Sequence, residues 1–214
     1  GQDEHPVAFL RTGQGEPVAL GHVARVDAAV QAGADAMGFV FTPRSRRCID
    51  TGTARELVQR VPAFVARVGL FMDQDAMEVR RVLAEVPLSL LQFHGAEDGD
   101  FCRQFGLPYI KALAMGGAGQ LPNAGEYPDA AALLLDSHEP GAAGGTGKTF
   151  DWDSVPVLSR PVVLAGGLTA ENVARAVRTV RPWAVDVSSG VEDAPGIKSV
   201  EKMIEFINEA KRET

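Results

Sequence analysis

Two short runs carry the clearest chemical signal, Gly166-Gly167-Leu168 and Ser188-Ser189-Gly190, each directly after an apolar segment. Turns of this composition present backbone N–H groups and hydroxyls to one phosphate, and glycine lets the phosphate oxygens come close to the chain. Either turn alone reads equally well as a tight turn with a capping role. Both together point to phosphate. A third cluster, Gly144-Gly145-Thr146-Gly147-Lys148, lacks the spacing of a P-loop, because Ala142 stands where the first glycine belongs. It reads as a loop over the site, with Lys148 able to reach an anion.

Proton transfer and anion recognition have candidates nearby. Asp136 closes the apolar run Leu133-Leu134-Leu135, and Asp186 sits between Val185 and Val187. A carboxyl group in a partly apolar mouth can hold its proton near neutral pH and deliver it as a general acid. For Asp136 that reading leads; for Asp186 a structural or hydroxyl-binding role is equally open. Thr42-Pro43-Arg44-Ser45-Arg46-Arg47 gathers three guanidinium groups, whose planar fork suits a carboxylate, and Arg47 is the expected contact. His94, in Gln92-Phe93-His94-Gly95, reads as a substrate-side residue or as a hydrogen-bonded structural histidine.

Seven apolar runs position these residues: Ala36 to Phe41, Ala66 to Phe71, Ser89 to Phe93, Tyr109 to Leu113, Ala132 to Asp136, Pro161 to Ala165 and Ala184 to Val187. Amphipathic stretches at Thr53 to Val61, Asp75 to Val86, Thr169 to Val180 and Ser199 to Lys211 lie between or after them. In the last, Val200, Met203, Ile204 and Ile207 share one face. With an eighth strand before Ala36 and each strand followed by a crossover, the pattern predicts an α/β protein, a (β/α)8 TIM barrel forming a single domain over 1–214. An open doubly wound sheet is disfavoured, because its phosphate-binding glycines follow the first strand rather than the late ones.

The 214 residues include 21 basic and 28 acidic side chains, a net charge of −7 that speaks against a nucleic-acid partner. Hydrophobic residues at 45% and charged residues at 23% exclude a disordered or fibrous chain. No apolar run approaches the roughly 18 residues of a membrane span, and the opening residues lack the order of a signal peptide. A cytoplasmic protein with no membrane partner is expected. Cys48 and Cys102 have no partner at metal-like spacing, so free thiols and no metal site are expected.

Taken in order, several motifs make the chain resemble the phosphoribosylanthranilate isomerases of tryptophan biosynthesis. They are Gly33-Ala34-Asp35-Ala36-Met37-Gly38-Phe39-Val40-Phe41, Leu91-Gln92-Phe93-His94-Gly95, Leu134-Leu135-Asp136-Ser137, Gly144 to Trp152, Leu164-Ala165-Gly166-Gly167-Leu168 and Asp186-Val187-Ser188-Ser189-Gly190-Val191-Glu192. The resemblance implies a cofactor-free Amadori rearrangement of a small phosphorylated substrate by a monomer or homodimer. It implies Asp136 as general acid and Arg47 on the anthranilate carboxylate. It implies Gly166, Gly167, Ser188, Ser189 and Gly190 around the phosphate, with His94 and Asp186 as further substrate contacts.

The first 30 residues diverge. The family's first strand carries a cysteine as general base, in a Lys-Phe/Ile-Cys-Gly-Leu/Ile-Thr motif that this chain lacks. If strand one is Val7 to Thr12, Leu10 replaces the cysteine and Glu16-Pro17 opens a helix. Counting back from Gly33 without gaps places the strand at Val18 to Leu20 instead, with Val18 or Leu20 at that position. In both cases an aliphatic side chain stands where a base is needed. The expectation is an isomerase with impaired turnover, or else a catalytically silent phosphate-binding barrel. His22 or Glu16 could substitute if the remodelled loop reached the mouth. One nucleotide out of frame, codons compatible with Phe9-Leu10-Arg11-Thr12 spell Phe-Cys-Gly-Leu, so a shifted reading frame is one origin for this segment.

Overall fold

Side chains on a strand alternate between two faces, and here that alternation decides which residues reach the site. In β6 (Ala132–Asp136), Ala132 and Leu134 belong to a buried inner cluster, while Leu133 and Leu135 belong to a larger outer one. Asp136 continues the inner set at the strand's C-terminal end. β8 (Ala184–Val187) repeats the pattern: Ala184 is inner, Val185 and Val187 are outer, and Asp186 takes the next inner place. Each fully buried valine or leucine contributes roughly 1.5–3 kcal/mol. A one-residue slip would turn both aspartates into the outer layer.

The computed structural model describes residues 7–12, 20–115, 124–137 and 149–212. Six further strands complete the curled parallel sheet: β1 (Val7–Thr12), β2 (Ala36–Val40), β3 (Ala66–Phe71), β4 (Leu90–Phe93), β5 (Tyr109–Ala114) and β7 (Val162–Leu164). Neighbours in sequence pair in parallel from β1 to β8, and the backbone of β1 is also registered to β8, with Val7 opposite Ala184 and Phe9 opposite Asp186. The sheet is an α/β sheet with an inner apolar filling and an outer face covered by helices.

The helices are α1 (Leu20–Gln31), α2 (Thr51–Val58), α3 (Ala76–Glu85), α4 (Gly99–Arg103), α5 (Ala170–Val180) and α6 (Val200–Lys211). Asp50, Asp75 and Asp98 cap α2, α3 and α4 by accepting N–H bonds of 2.8, 2.9 and 2.7 Å. Each such cap contributes about 1 kcal/mol. An antiparallel hairpin, β9 (Glu192–Ala194) and β10 (Ile197–Lys198), lies between β8 and α6.

Several expectations need correction. Among the described residues, the connections from β5 to β6 and from β6 to β7 hold only 3-10 turns, at 124–126 and 152–154, rather than crossover helices. Ile204 is 42% exposed; the buried face of α6 is Met203, Phe206, Ile207 and Ala210, because Phe206 fills the place next to the core. Helix α2 begins and ends earlier than its apolar spacing suggests, since Asp50 caps it. Leu20 opens α1, so the alternative first strand at Val18 to Leu20 fails there, while Val18, Glu16 and Pro17 lie outside the described residues. The described chain has no helix long and apolar enough to cross a membrane.

Candidate active site

A cavity opens at the C-terminal ends of the strands, and both glycine-serine turns line it through Gly166, Gly167, Ser188 and Ser189, together with Arg47, His94, Asp136 and Asp186. Its apolar wall includes Val40, Leu70, Met72, Ala165 and Val187.

The first turn requires glycine. Gly166 and Gly167 have φ of +84° and +64°, a region that penalises a side chain. A Cβ on Gly166 would also lie 2.8 Å from Asp136 Oδ1 and would strike Ser137. The turn is fixed from below by α5, where Asn172 accepts from the Thr169 N–H at 2.9 Å and donates to the Gly167 carbonyl at 2.9 Å. Gly190 sits beside the cavity-lining Ser188 and Ser189. Its Cα packs against the Leu168 carbonyl, where a Cβ would collide, so Gly190 brings the two turns together.

His94 and Asp136 face each other. His94 Nε2 lies 3.4 Å from Asp136 Oδ2, with side chains 8% and 5% exposed. The Gln92 amide nitrogen lies 3.3 Å from His94 Nδ1 and holds the ring with Nε2 toward the carboxyl group. The loop carrying His94 is anchored by Glu97, which accepts from the N–H groups of Asp73 and Gly95 at 2.7 and 2.8 Å and pairs with buried Lys111 at 3.1 Å.

The arginine loop separates its three members. Arg44 is exposed, 3.9 Å from Asp73, and Arg46 is exposed. Arg47 turns inward and donates from Nε and Nη2 to the two Glu192 oxygens, both at 2.7 Å. This bidentate pair uses one edge of the guanidinium and leaves the Nη1/Nη2 edge for an anion. Glu192 also accepts from Lys198 at 2.8 Å, and Lys198 donates to the Ser188 carbonyl at 2.7 Å. Burial pushes the Glu192 carboxyl up, but hydrogen bonds and charge from Arg47 and Lys198 outweigh it and hold the group below the usual range.

Sequence reading left Glu192, Lys198 and Gln92 without a role. Glu192 and Arg47 are 145 positions apart, a separation that no local pattern reveals. Neither thiol lines the cavity: burial pushes Cys102 up to about 12 and raises Cys48 as well. Among the described residues no group of His, Cys, Asp or Glu could hold a metal ion. Lys148, Glu16 and the rest of the glycine-rich loop lie outside the described residues; His22 is in α1.

The family model for N-(5'phosphoribosyl)anthranilate (PRA) isomerase matches residues 17–209. The chain belongs to the phosphoribosylanthranilate isomerase family. An N-(5'-phosphoribosyl)anthranilate isomerase of Hahella chejuensis is 52% identical over 188 residues, 87% of this chain and 88% of that relative. Among solved structures, the phosphoribosylanthranilate isomerase of Thermotoga maritima shares 35% identity, with 97% of this chain and 99% of that one covered and a TM-score of 0.83. A phosphoribosylanthranilate isomerase in complex with reduced 1-(o-carboxyphenylamino)-1-deoxyribulose 5-phosphate is 34% identical, with a TM-score of 0.80 over 97% of this chain and 99% of that one. The family match starts after β1, at residue 17.

In β1 the motif and the register disagree by one residue. Motif matching assigns the family's cysteine position to Leu10, yet Leu10 is registered to Met37 and Val187, both in the outer cluster. Phe9 is registered to Ala36 and Asp186, and Arg11 to Gly38, which lies between inner residues Ala36 and Val40.

Proposed function

We propose that this member of the isomerase family is a single-domain (β/α)8 barrel over 1–214, divergent in 1–30, which binds N-(5-phosphoribosyl)anthranilate and rearranges it slowly in tryptophan biosynthesis. The observation that carries the reading is one cavity bearing both phosphate turns, Arg47 and Asp136. Pairing of β1 with both β2 and β8 supports barrel closure. A cytoplasmic setting and a monomer or homodimer complete the reading.

In this reading Gly166, Gly167, Ser188 and Ser189 hold the phosphate, and the outer edge of Arg47 grips the anthranilate carboxylate. The substrate is thereby stretched beneath Asp136. Asp136 gives its proton to the furanose ring oxygen as the C1–O bond breaks and the amine nitrogen lone pair forms the C1=N iminium. Loss of the C2 proton then returns electrons to nitrogen and gives the enol, which tautomerises to the ketone. His94 holds the Asp136 carboxyl in place, and Asp186 faces the sugar hydroxyls.

The C2 proton is the difficulty. Neither Leu10 nor Arg11 can accept a proton, and a missing general base costs about 10² to 10⁴ in rate. A second reading, a silent phosphate-binding barrel, draws on the same departure in β1. A turnover assay with N-(5-phosphoribosyl)anthranilate separates the two: slow conversion lost in Asp136→Asn supports the isomerase, whereas a rate equal to the buffer rate supports the silent barrel.

A further inference from the structure

We propose that Glu192 and Lys198 form a buried strut that fixes the spacing between the carboxylate grip and the phosphate turn, so that the site selects ligands carrying both anions. The inference rests on the substrate reading above and adds two positioning residues to it. Neither residue lines the cavity.

The strut runs through four residues. Arg47 donates twice to Glu192 at 2.7 Å, Glu192 accepts from Lys198 at 2.8 Å, and Lys198 donates to Ser188 at its carbonyl (2.7 Å) and hydroxyl (3.4 Å). The Glu192 and Lys198 side chains are 6% and 3% exposed, so the pair is scarcely screened by water. Both middle residues are tied to the frame: Arg25 donates to the Lys198 carbonyl and Lys202 to the Glu192 carbonyl, each at 2.8 Å.

The chemistry at each end follows from this geometry. A guanidinium locked along its Nε/Nη2 edge cannot rotate, so its remaining edge has a fixed direction. In a trans peptide the carbonyl and the following N–H point in opposite directions. With the Ser188 carbonyl drawn to Lys198, the Ser189 N–H is turned the other way, toward the cavity that Ser188 and Ser189 line. Glu192 therefore aims the guanidinium directly, and Lys198 aims the phosphate turn.

The test measures binding by calorimetry, with melting curves alongside, for the full chain and its Glu192→Gln, Lys198→Met and Lys198→Arg variants. The probes are reduced 1-(o-carboxyphenylamino)-1-deoxyribulose 5-phosphate, which carries both anions, and inorganic phosphate. Glu192→Gln should weaken the two-anion analogue about tenfold or more and inorganic phosphate by less than about threefold. Lys198→Met should weaken both, and Lys198→Arg should restore phosphate binding. In Glu192→Gln, affinities that stay within about twofold, or that fall in step for both probes as the melting temperature drops, would overturn the strut, as would phosphate binding left unchanged by Lys198→Met. Failure of the unaltered chain to bind the analogue would instead defeat the substrate reading, while the phosphate measurements would still report on Lys198.

Discussion

The His94 imidazole stands 3.4 Å from the Asp136 carboxylate, in a setting nearly closed to water. Gln92 lies 3.3 Å from the other ring nitrogen, so the ring is held with Nε2 toward the carboxyl group. Asp136→Asn is expected to lower the residual turnover by about 10² to 10⁴, since the amide cannot protonate the ring oxygen. His94→Asn should lose less, because it removes only a support of the Asp136 carboxyl group. Steady-state rates from pH 5 to 9 check both; an Asp136→Asn variant as fast as the parent rules out the acid role.

The register of β1 makes a sharp prediction. A cysteine supplies a useful base only at an inner position, and Arg11, level with Gly38, holds one where Leu10 does not. Arg11→Cys should therefore raise turnover by up to about 10² to 10⁴, with Leu10→Cys near the parent rate. A gain in Leu10→Cys alone would reverse the register. In the shifted reading frame the cysteine codon straddles those of Leu10 and Arg11, so coding DNA unable to spell Phe-Cys-Gly-Leu there ends the frameshift origin.

Thiol chemistry is expected to be slow. Burial raises both cysteines, Cys102 to about 12, and the thiolate is the reactive form. Titration with a thiol reagent at pH 8 should modify half-buried Cys48 slowly and Cys102 only on unfolding. Rapid modification of Cys102 in the folded chain would contradict its sealed position on α4.

Glu192 sets a pH dependence of stability. Its folded-state pKa lies below the ordinary 4.5, so the folded state holds fewer protons than the unfolded chain. The contribution is complete above about pH 4.5 and fades as pH falls through the lower folded value. In Glu192→Gln, the drop in melting temperature between pH 5 and pH 3 should be shallower than in the parent. An identical slope would remove Glu192 from the acid response.

The parts legible in sequence were those with local cause. Seven short apolar runs located β2 to β8, and two of those runs carried Asp136 and Asp186 at or near their C-terminal ends. Capping aspartates fixed α3 almost to the residue. What stayed hidden depends on distance along the chain: the Arg47–Glu192 pair joins segments 145 residues apart, and a Cβ on Gly190 would collide with the Leu168 carbonyl 22 positions earlier. Ile204 was misassigned because a helical stripe is broad enough to admit either Ile204 or Phe206 as its buried edge, and the larger ring took the place.

A crystal structure with reduced 1-(o-carboxyphenylamino)-1-deoxyribulose 5-phosphate tests the site most directly. The expected result is phosphate oxygens bonded to the Gly167 and Ser189 backbone, the carboxylate on the free edge of Arg47, and Asp136 within hydrogen-bond reach of the sugar oxygen. A phosphate bound away from those two turns, or a carboxylate that leaves Arg47 untouched, would contradict it.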